Sequence, residues 1–421
     1  MKKASKPHEP LGKTHLKPQP NPQTKVYGSH GVVNVFFDGT LNNYYNIIKG
    51  TGFNNDTSYA NDFSNVARMW ASIKDDLRTN CSLYIDGIGT TRLKDDSLKG
   101  YAFGDEGTGV MERADSAFGQ LYQKITDTYG ALPDFIHINV FGFSRGAAAA
   151  RTFIHWMKTE KEKRLDNGKN KEWKGKTVFV NFVGLFDTVS SYAPTQDRHG
   201  AGGLVPNDNA FDNDVPQLHL NFNKGYAKRV LHITAGDEFR ANFSLTNIQS
   251  AIALGIGYEL EIPGAHSDVG GGYHPTEKES HRIVDAAFKA HIVQKGWYHQ
   301  NDLPSNRGYQ WVHRTVFGQY HKIALAVMVD AANHYGAKIK TDILKVFTNK
   351  PDGKDVLEIQ TKLREFAKKD NNTRWSIDAY KQHENPTYAP WFRRNFLHLS
   401  AEAGSISNQY AKGFKRKHFQ G

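Results

Sequence analysis

The sequence predicts an α/β fold: a mostly parallel β-sheet covered on both faces by helices. Three observations predict it. Short, nearly continuous apolar runs rich in β-branched residues recur along the chain, as in strands buried on both faces. Stretches with apolar residues spaced by three and four alternate with these runs, which is the helical period. Asp38, Ser144 and Asp187 each stand just past a run, at the carboxyl ends of strands where open parallel sheets bind their ligands.

The bulk numbers fit a globular chain. It has 421 residues, 38% hydrophobic and 12% aromatic, enough to bury a sizeable core. Its one cysteine, Cys81, excludes an intramolecular disulfide and a cysteine-based zinc site within one chain. The formal net charge is +11, which attracts nucleic acid, anionic headgroups or acidic proteins without distinguishing them.

The elements follow in order. Residues 1–29 are rich in Lys, Pro and polar residues and lack an apolar h-region, so they read as a disordered basic tail and not as a secretory signal. Order is expected from about residue 30. "VVNVFF" (Val32–Phe37) reads as a buried strand stopped by Asp38-Gly39-Thr40. A second strand is expected over Ser82–Ile85, before a Gly-rich loop. From Thr108 to Tyr129 the apolar residues Val110, Ala114, Ala117, Leu121, Ile125 and Tyr129 mark an amphipathic helix. "FIHINVFGF" is a strand, "RGAAAARTFIHWM" a closely packing helix, and "TVFVNFVGLFDTV" a strand ending at Asp187.

Residues 191–224 are rich in Gly, Pro, Asn and Asp, and a loop of that length reads as a lid-like insertion. Order resumes at "RVLHITAGDEFR", and "GYELEIPGAHSDVGGGY" runs from a strand into a glycine-rich loop. Beyond about residue 280 the pattern turns helical, in "RIVDAAFKAHIVQ", "HKIALAVMVDAANHYG" and "DVLEIQTKLREFAKK". The expected organisation is a catalytic domain over 30–340 and a smaller, mostly helical and basic region over 341–421. In that second region the aromatic-basic cluster "WFRRNFLHL" (Trp391–Leu399) reads equally as a membrane-docking element or a core-facing segment. No run of about eighteen apolar residues occurs, so no transmembrane helix is expected.

The chemistry centres on Gly142-Phe143-Ser144-Arg145-Gly146. This is G-x-S-x-G between a strand and a helix, where a sharp turn exposes the serine and bulkier neighbours would clash. The helix N-terminus behind Ser144 points amides at any oxyanion formed there. The backbone N–H of Arg145 is one natural donor, and Gly39 or Thr40 would supply a second. A neutral serine needs a base, and the base an orienting acid. In this architecture the order is Ser, acid, His. Asp187 comes next, with turn capping through Thr188 and Ser190 as its bland alternative. Among nineteen histidines, His266 is favoured because it follows a strand in a pliant loop, with His274 its competitor. Asp268 reads as a second acid or as a brace for that loop. His155 reads as structural, and His232 as packing beneath the site. Asp38, Asp86 and Asp268 would converge if a metal assisted, but loop carboxylates more often cap turns, and neither metal nor cofactor is expected.

"FFDGTLNN", "YIDGIGT", "FGFSRGAAAAR", "GLFDTV", "GDEFR" and "PGAHSDVGGGY" occur in that order. In this the chain resembles an uncharacterised-domain family of α/β-hydrolases that includes the first class of type VI secretion lipase effectors, which are similar to phospholipases A. The resemblance spans about residues 30–340. It implies Ser144 as nucleophile, Asp187 as acid, His266 as base, and a site shaped by the glycine-rich stretch from Gly270 to Gly272. It also implies a phospholipid membrane as target, export by the secretion needle to a target cell's periplasm or membrane, loading on a spike protein, and a cognate immunity protein. Two alternatives stay open: another carboxylesterase or amidase of the same fold, and a basic nucleic-acid-binding protein with an inactive hydrolase core. Against the latter, the basic residues are dispersed and no nucleic-acid-binding motif appears.

Overall fold

A computed structural model describes residues 28–51, 57–73, 81–97, 107–159, 175–191, 216–283, 286–303, 310–345, 353–369, 388–401 and 409–421. Nearly all of the expected basic tail and most of the 191–224 insertion lie outside these residues.

Among the described residues, six strands form one sheet in the order β2-β1-β3-β4-β5-β7. They are β1 (His30–Phe37), β2 (Cys81–Ile85), β3 (Phe135–Phe143), β4 (Thr177–Phe186), β5 (Arg229–Ala235) and β7 (Gly257–Ile262). Every neighbouring pair is parallel. The two-residue β6 (Leu245–Thr246) lies apart from this sheet.

Alternation along each strand feeds two apolar layers. On β1, Val33, Val35 and Phe37 face one layer and Phe36 the other. The first layer is closed by α2 (Val110–Tyr129) and α3 (Arg145–Thr159). The second is closed by α1 (Asn65–Ile73) and α6 (His321–His334). The chain winds from β1 outward to β2 and then returns past β1 to β3. Right-handed crossovers require that reversal to put α1 and α2 on opposite faces, as they are. It also leaves a crevice at the carboxyl ends of β1 and β3, the topological switch point. Asp38 and Ser144 flank it.

The expected strands and the helix over 110–129 are present, with Val110, Ala114, Ala117, Leu121 and Ile125 all buried. The structure differs in three places. First, the helical reading beyond residue 280 is wrong at its start. Glu277–Ile283 is strand β8, antiparallel to β9 (Gln310–Val316), and the helix α5 covers only Ala286–Gln294. The strand buries charged groups in pairs, Glu279 with Arg314 and His281, so it carries no hydrophobic alternation to read.

Second, the segment read as a lid is not one throughout. Leu218, Leu220 and Phe222 are buried in the first layer, and their backbone is tied to α3 by Thr152 Oγ1 on Leu218 O (2.7 Å) and Arg151 Nε on Leu220 O (2.7 Å). Third, apolar packing crosses the division expected at residue 340. One apolar cluster joins α1 and α6 to Ile359 and Leu363 of α7 (Gly353–Lys369) and to Phe392 and Phe396 of α8 (Tyr388–Phe396). Phe392, Phe396, Leu397 and Leu399 of the aromatic-basic cluster therefore face the core, and Arg393 is buried beside Asp237 with them.

Candidate active site

The turn after β3 is built by exclusion of side chains. A Cβ on Gly146 would lie 2.1 Å from the carbonyl oxygen of Asp38, and one on Gly142 would lie 2.6 Å from Cα of Ala147. Only glycines allow the helix to start that close to β1 and β3. Between them Ser144 adopts φ +58°, a left-handed conformation that costs a non-glycine residue on the order of 1–3 kcal/mol. Hydrogen bonds hold it there: Ser144 N–H donates to Phe186 O (3.0 Å), and Ser144 O accepts from Ala147 N–H (3.0 Å) and Val189 N–H (3.3 Å). The serine turn is thereby fastened to the end of β4, where Asp187 stands. Arg145 opens α3 directly behind it.

Asp187 also has positive φ, +42°, and is fully buried. Its Oδ2 accepts from His266 Nδ1 at 2.5 Å, and its Oδ1 from the Ala235 amide at 2.9 Å. Arg416 grips both oxygens, Nη1 on Oδ1 at 2.6 Å and Nη2 on Oδ2 at 2.9 Å. Burial alone would raise this carboxyl's pKa, but the charge of Arg416 and the bond from His266 hold it well below the usual range. His232 braces the strand end from below. Its Nε2 accepts the Thr188 amide (3.0 Å) while Nδ1 faces Glu259 (2.9 Å).

His266 opens the short helix α4 (His266–Gly270). Its ring lies between Phe143, the residue before Ser144 (centroids 4.6 Å apart), and Phe243 (5.0 Å). Its amide donates to Glu238 Oε2 at 3.2 Å. Burial lowers its pKa, against the bond and charge of Asp187, and Arg240 and Arg416 push the same way as burial. A neutral ring that donates Nδ1–H to an ionised carboxylate keeps its lone pair on Nε2, the form a general base needs.

The glycine-rich stretch closes over this arrangement. Gly270 packs so tightly on the Phe143 ring that a Cβ there would fall 1.9 Å from it. Gly271, at φ +82°, lies against Ser64 and Asn65. Asp268 is a brace: Oδ2 accepts the Ala265 and His398 amides (2.9 Å each) and Oδ1 meets His398 Nδ1 at 2.7 Å.

Other expectations need correcting or completing. The Gly39 amide, expected as a possible oxyanion donor, donates to Asp38 Oδ1 (2.8 Å). Thr40 stands at the rim, its Oγ1 accepting from Arg145 Nε (2.9 Å). His274 binds Ala60 O instead (2.7 Å). The three aspartates do not converge: Asp38 holds Ser64 and Tyr84 (2.5 Å each), Asp86 pairs with Arg92, and Asp268 with His398. Burial lifts the Asp38 carboxyl to about 6 despite those hydrogen bonds.

Arg416, Glu238, Arg240, Phe243 and His398 were missed as site residues. Only "GDEFR", which holds Glu238 and Arg240, gave a signal as an ordered motif.

A parallel sheet with a strained serine turn at its carboxyl rim is the frame of an α/β-hydrolase-like fold. A family model described as the catalytic domain of Tle1-like phospholipase effectors of the type VI secretion system matches residues 33–159 and 154–294. The chain belongs to this family. Among solved structures, the Tle1 effector bound to the VgrG spike from the type VI secretion system is similar over 94% of each chain, at 20% identity and a TM-score of 0.58. That likeness is one of fold. An uncharacterized protein from Pseudomonas aeruginosa aligns with 80% of this chain and 50% of its own, at 18% identity and a TM-score of 0.41. No curated protein matches the chain.

Proposed function

We propose that this protein is a serine-dependent lipase of phospholipase A type that hydrolyses acyl esters of membrane phospholipids. The observation that carries the reading is the 2.5 Å contact between His266 Nδ1 and Asp187 Oδ2, buried where the strained Ser144 turn is fastened to β4. Ser144 Oγ attacks the ester carbonyl and gives its proton to His266. His266 returns the proton to the leaving alcohol, and an acyl-enzyme remains. Water activated by the same ring then releases the fatty acid. The amide of Arg145 at the helix N-terminus, with Thr40 across the crevice, would bind the oxyanion. The net charge of +11 suits an anionic bilayer, each cation near the surface adding about 1 kcal/mol.

Membership of the effector family supports export by the type VI system toward a target-cell membrane. The spike-bound solved structure supports a spike protein as loading partner. A cognate immunity protein would follow from the toxic activity.

The test compares the wild type with Ser144→Ala on phospholipid vesicles and with a fluorophosphonate probe. Fatty-acid release should fall by at least about a thousand-fold, and labelling should vanish. Equal release by both proteins would end the serine mechanism. Labelling without lipid hydrolysis would move the substrate to another ester.

A further inference from the structure

Asp187 carries one partner more than an orienting acid requires. A carboxylate offers about four lone-pair sites. Here Ala235 N–H and His266 Nδ1 use two, and the Arg416 guanidinium takes the rest in a bidentate grip. Both side chains are sealed from water, with Arg416 4% exposed and Asp187 0%. The remaining edge of the guanidinium, Nε, donates to Phe243 O, and the Phe243 ring lies edge-on to His266.

Arg416 reaches this position through backbone pairing. β10 (His418–Phe419) runs parallel to β6, and Leu245 N–H donates to Lys417 O at 2.9 Å. Ahead of it, Ala411 N–H donates to Phe239 O, and Ala241 N–H to Gln409 O, at 2.8 Å each. Residues 409–421 thus lie along the 239–247 loop, and the strand register aims Arg416 inward.

We propose, building on the serine-lipase reading above, that Arg416 is a positioning residue that acts on the reaction through Asp187, so that a competent acid–base pair exists only when the C-terminal segment is docked. The charges facing His266 are Asp187 from the end of β4, Arg416 from the C-terminal segment, and Glu238 and Arg240 from the stretch after β5. On its own helix, Asp268 turns away to His398. Two carboxylates and two guanidiniums balance while His266 is neutral. Protonating His266 leaves the group with one excess positive charge. Arg416 therefore keeps the base unprotonated to lower pH, and it fixes the carboxylate that the ring must face.

The experiment uses Arg416→Gln and Arg416→Lys in the full chain. It reads kcat and KM on vesicles against pH, and the titration of His266 by NMR of histidine-labelled protein. For Arg416→Gln, the acid limb of kcat/KM and the His266 titration should both move to higher pH. Its kcat should fall about ten-fold or more with KM nearly unchanged. Arg416→Lys keeps the charge but loses the bidentate grip, so its limb should stay near the wild type's while its kcat falls. A folded Arg416→Gln protein with an unmoved limb and an unmoved His266 titration would overturn the proposal. So would a wild-type His266 that titrates at or above the ordinary histidine value, a reading that needs no variant to fold. The NMR arm does not depend on turnover. If the wild type hydrolyses no lipid but His266 still follows Arg416, the lipase reading falls and the coupling stands.

Discussion

Ser144 and Asp187 both sit in left-handed backbone, at φ +58° and +42°, and neither is a glycine. The cost is met by fixing the turn from three sides: Phe186 O, Val189 N–H and the close approach of α3 to β1. Gly146 controls that approach. A Cβ at Gly146 meets the Asp38 and Phe37 carbonyl oxygens at 2.1 and 2.6 Å, and backbone cannot swing aside as a side chain can. Gly146→Ala should therefore destabilise the fold by about 1–3 kcal/mol and also weaken fluorophosphonate labelling of Ser144. Urea unfolding and the labelling rate check this, and an unchanged midpoint with full labelling would contradict it. At this scale the sequence was legible where chemistry is encoded locally. The glycines around Ser144, the carboxylate closing an apolar run and the histidine in a glycine-rich loop each announce themselves. Arg416 does not. In "GFKRKHFQG" it is one cation among several, and its partner lies 229 residues away. Nothing short of the fold distinguishes it from Lys415 or Lys417.

The strands of the parallel sheet could be read because burial on both faces leaves a continuous apolar run. β8 could not, because its inward side chains are charged. Glu279 Oε2 receives Arg314 Nε at 2.7 Å, and Oε1 receives the Leu399 amide at 3.1 Å. This carboxylate joins the β8–β9 pair to the chain after α8. Burial would raise its pKa, but the Arg314 charge and the bond from His281 hold it down at about 2. A folded-state pKa below the unfolded value means a stabilisation present above the ordinary glutamate range and lost as pH falls toward about 2. Glu279→Gln should cost about 3–5 kcal/mol at pH 7 by leaving Arg314 buried and unpaired. The gap to wild type should narrow steadily as both are acidified, because the wild-type carboxylate is then neutralised too. Thermal melts between pH 7 and pH 2 measure the gap, and a constant difference would show that the ion pair is not its source.

Among the described residues, one apolar layer runs from β1 to the chain beyond α8. The sequence places a division at residue 340 because the resemblance to the α/β-hydrolase family ends there, although the pattern already turns helical near residue 280. Periodicity reports which face of an element is apolar and says nothing about what covers it. The answer lies in the second apolar layer. Met328 and Tyr320 from before that division share a cluster with Ile359, Leu363, Phe392, Phe396 and Leu397 from after it. Each such side chain, fully buried, contributes about 1.5–3 kcal/mol, so losing the five from after the division removes a stabilisation comparable with the whole 5–15 kcal/mol by which a typical protein is stable. The same removal strips Arg416 from Asp187, His398 from Asp268 and Ser400 from Glu238, taking one partner from each of three buried carboxylates. A chain ending at residue 340 keeps the whole region matched by the family's catalytic model and all of Ser144, Asp187 and His266. It should nevertheless fail to fold cooperatively. Circular dichroism melts and dye binding by exposed apolar surface would read this directly. A soluble 1–340 fragment with a sharp transition near that of the full chain would show that residues 341–421 are an accessory after all.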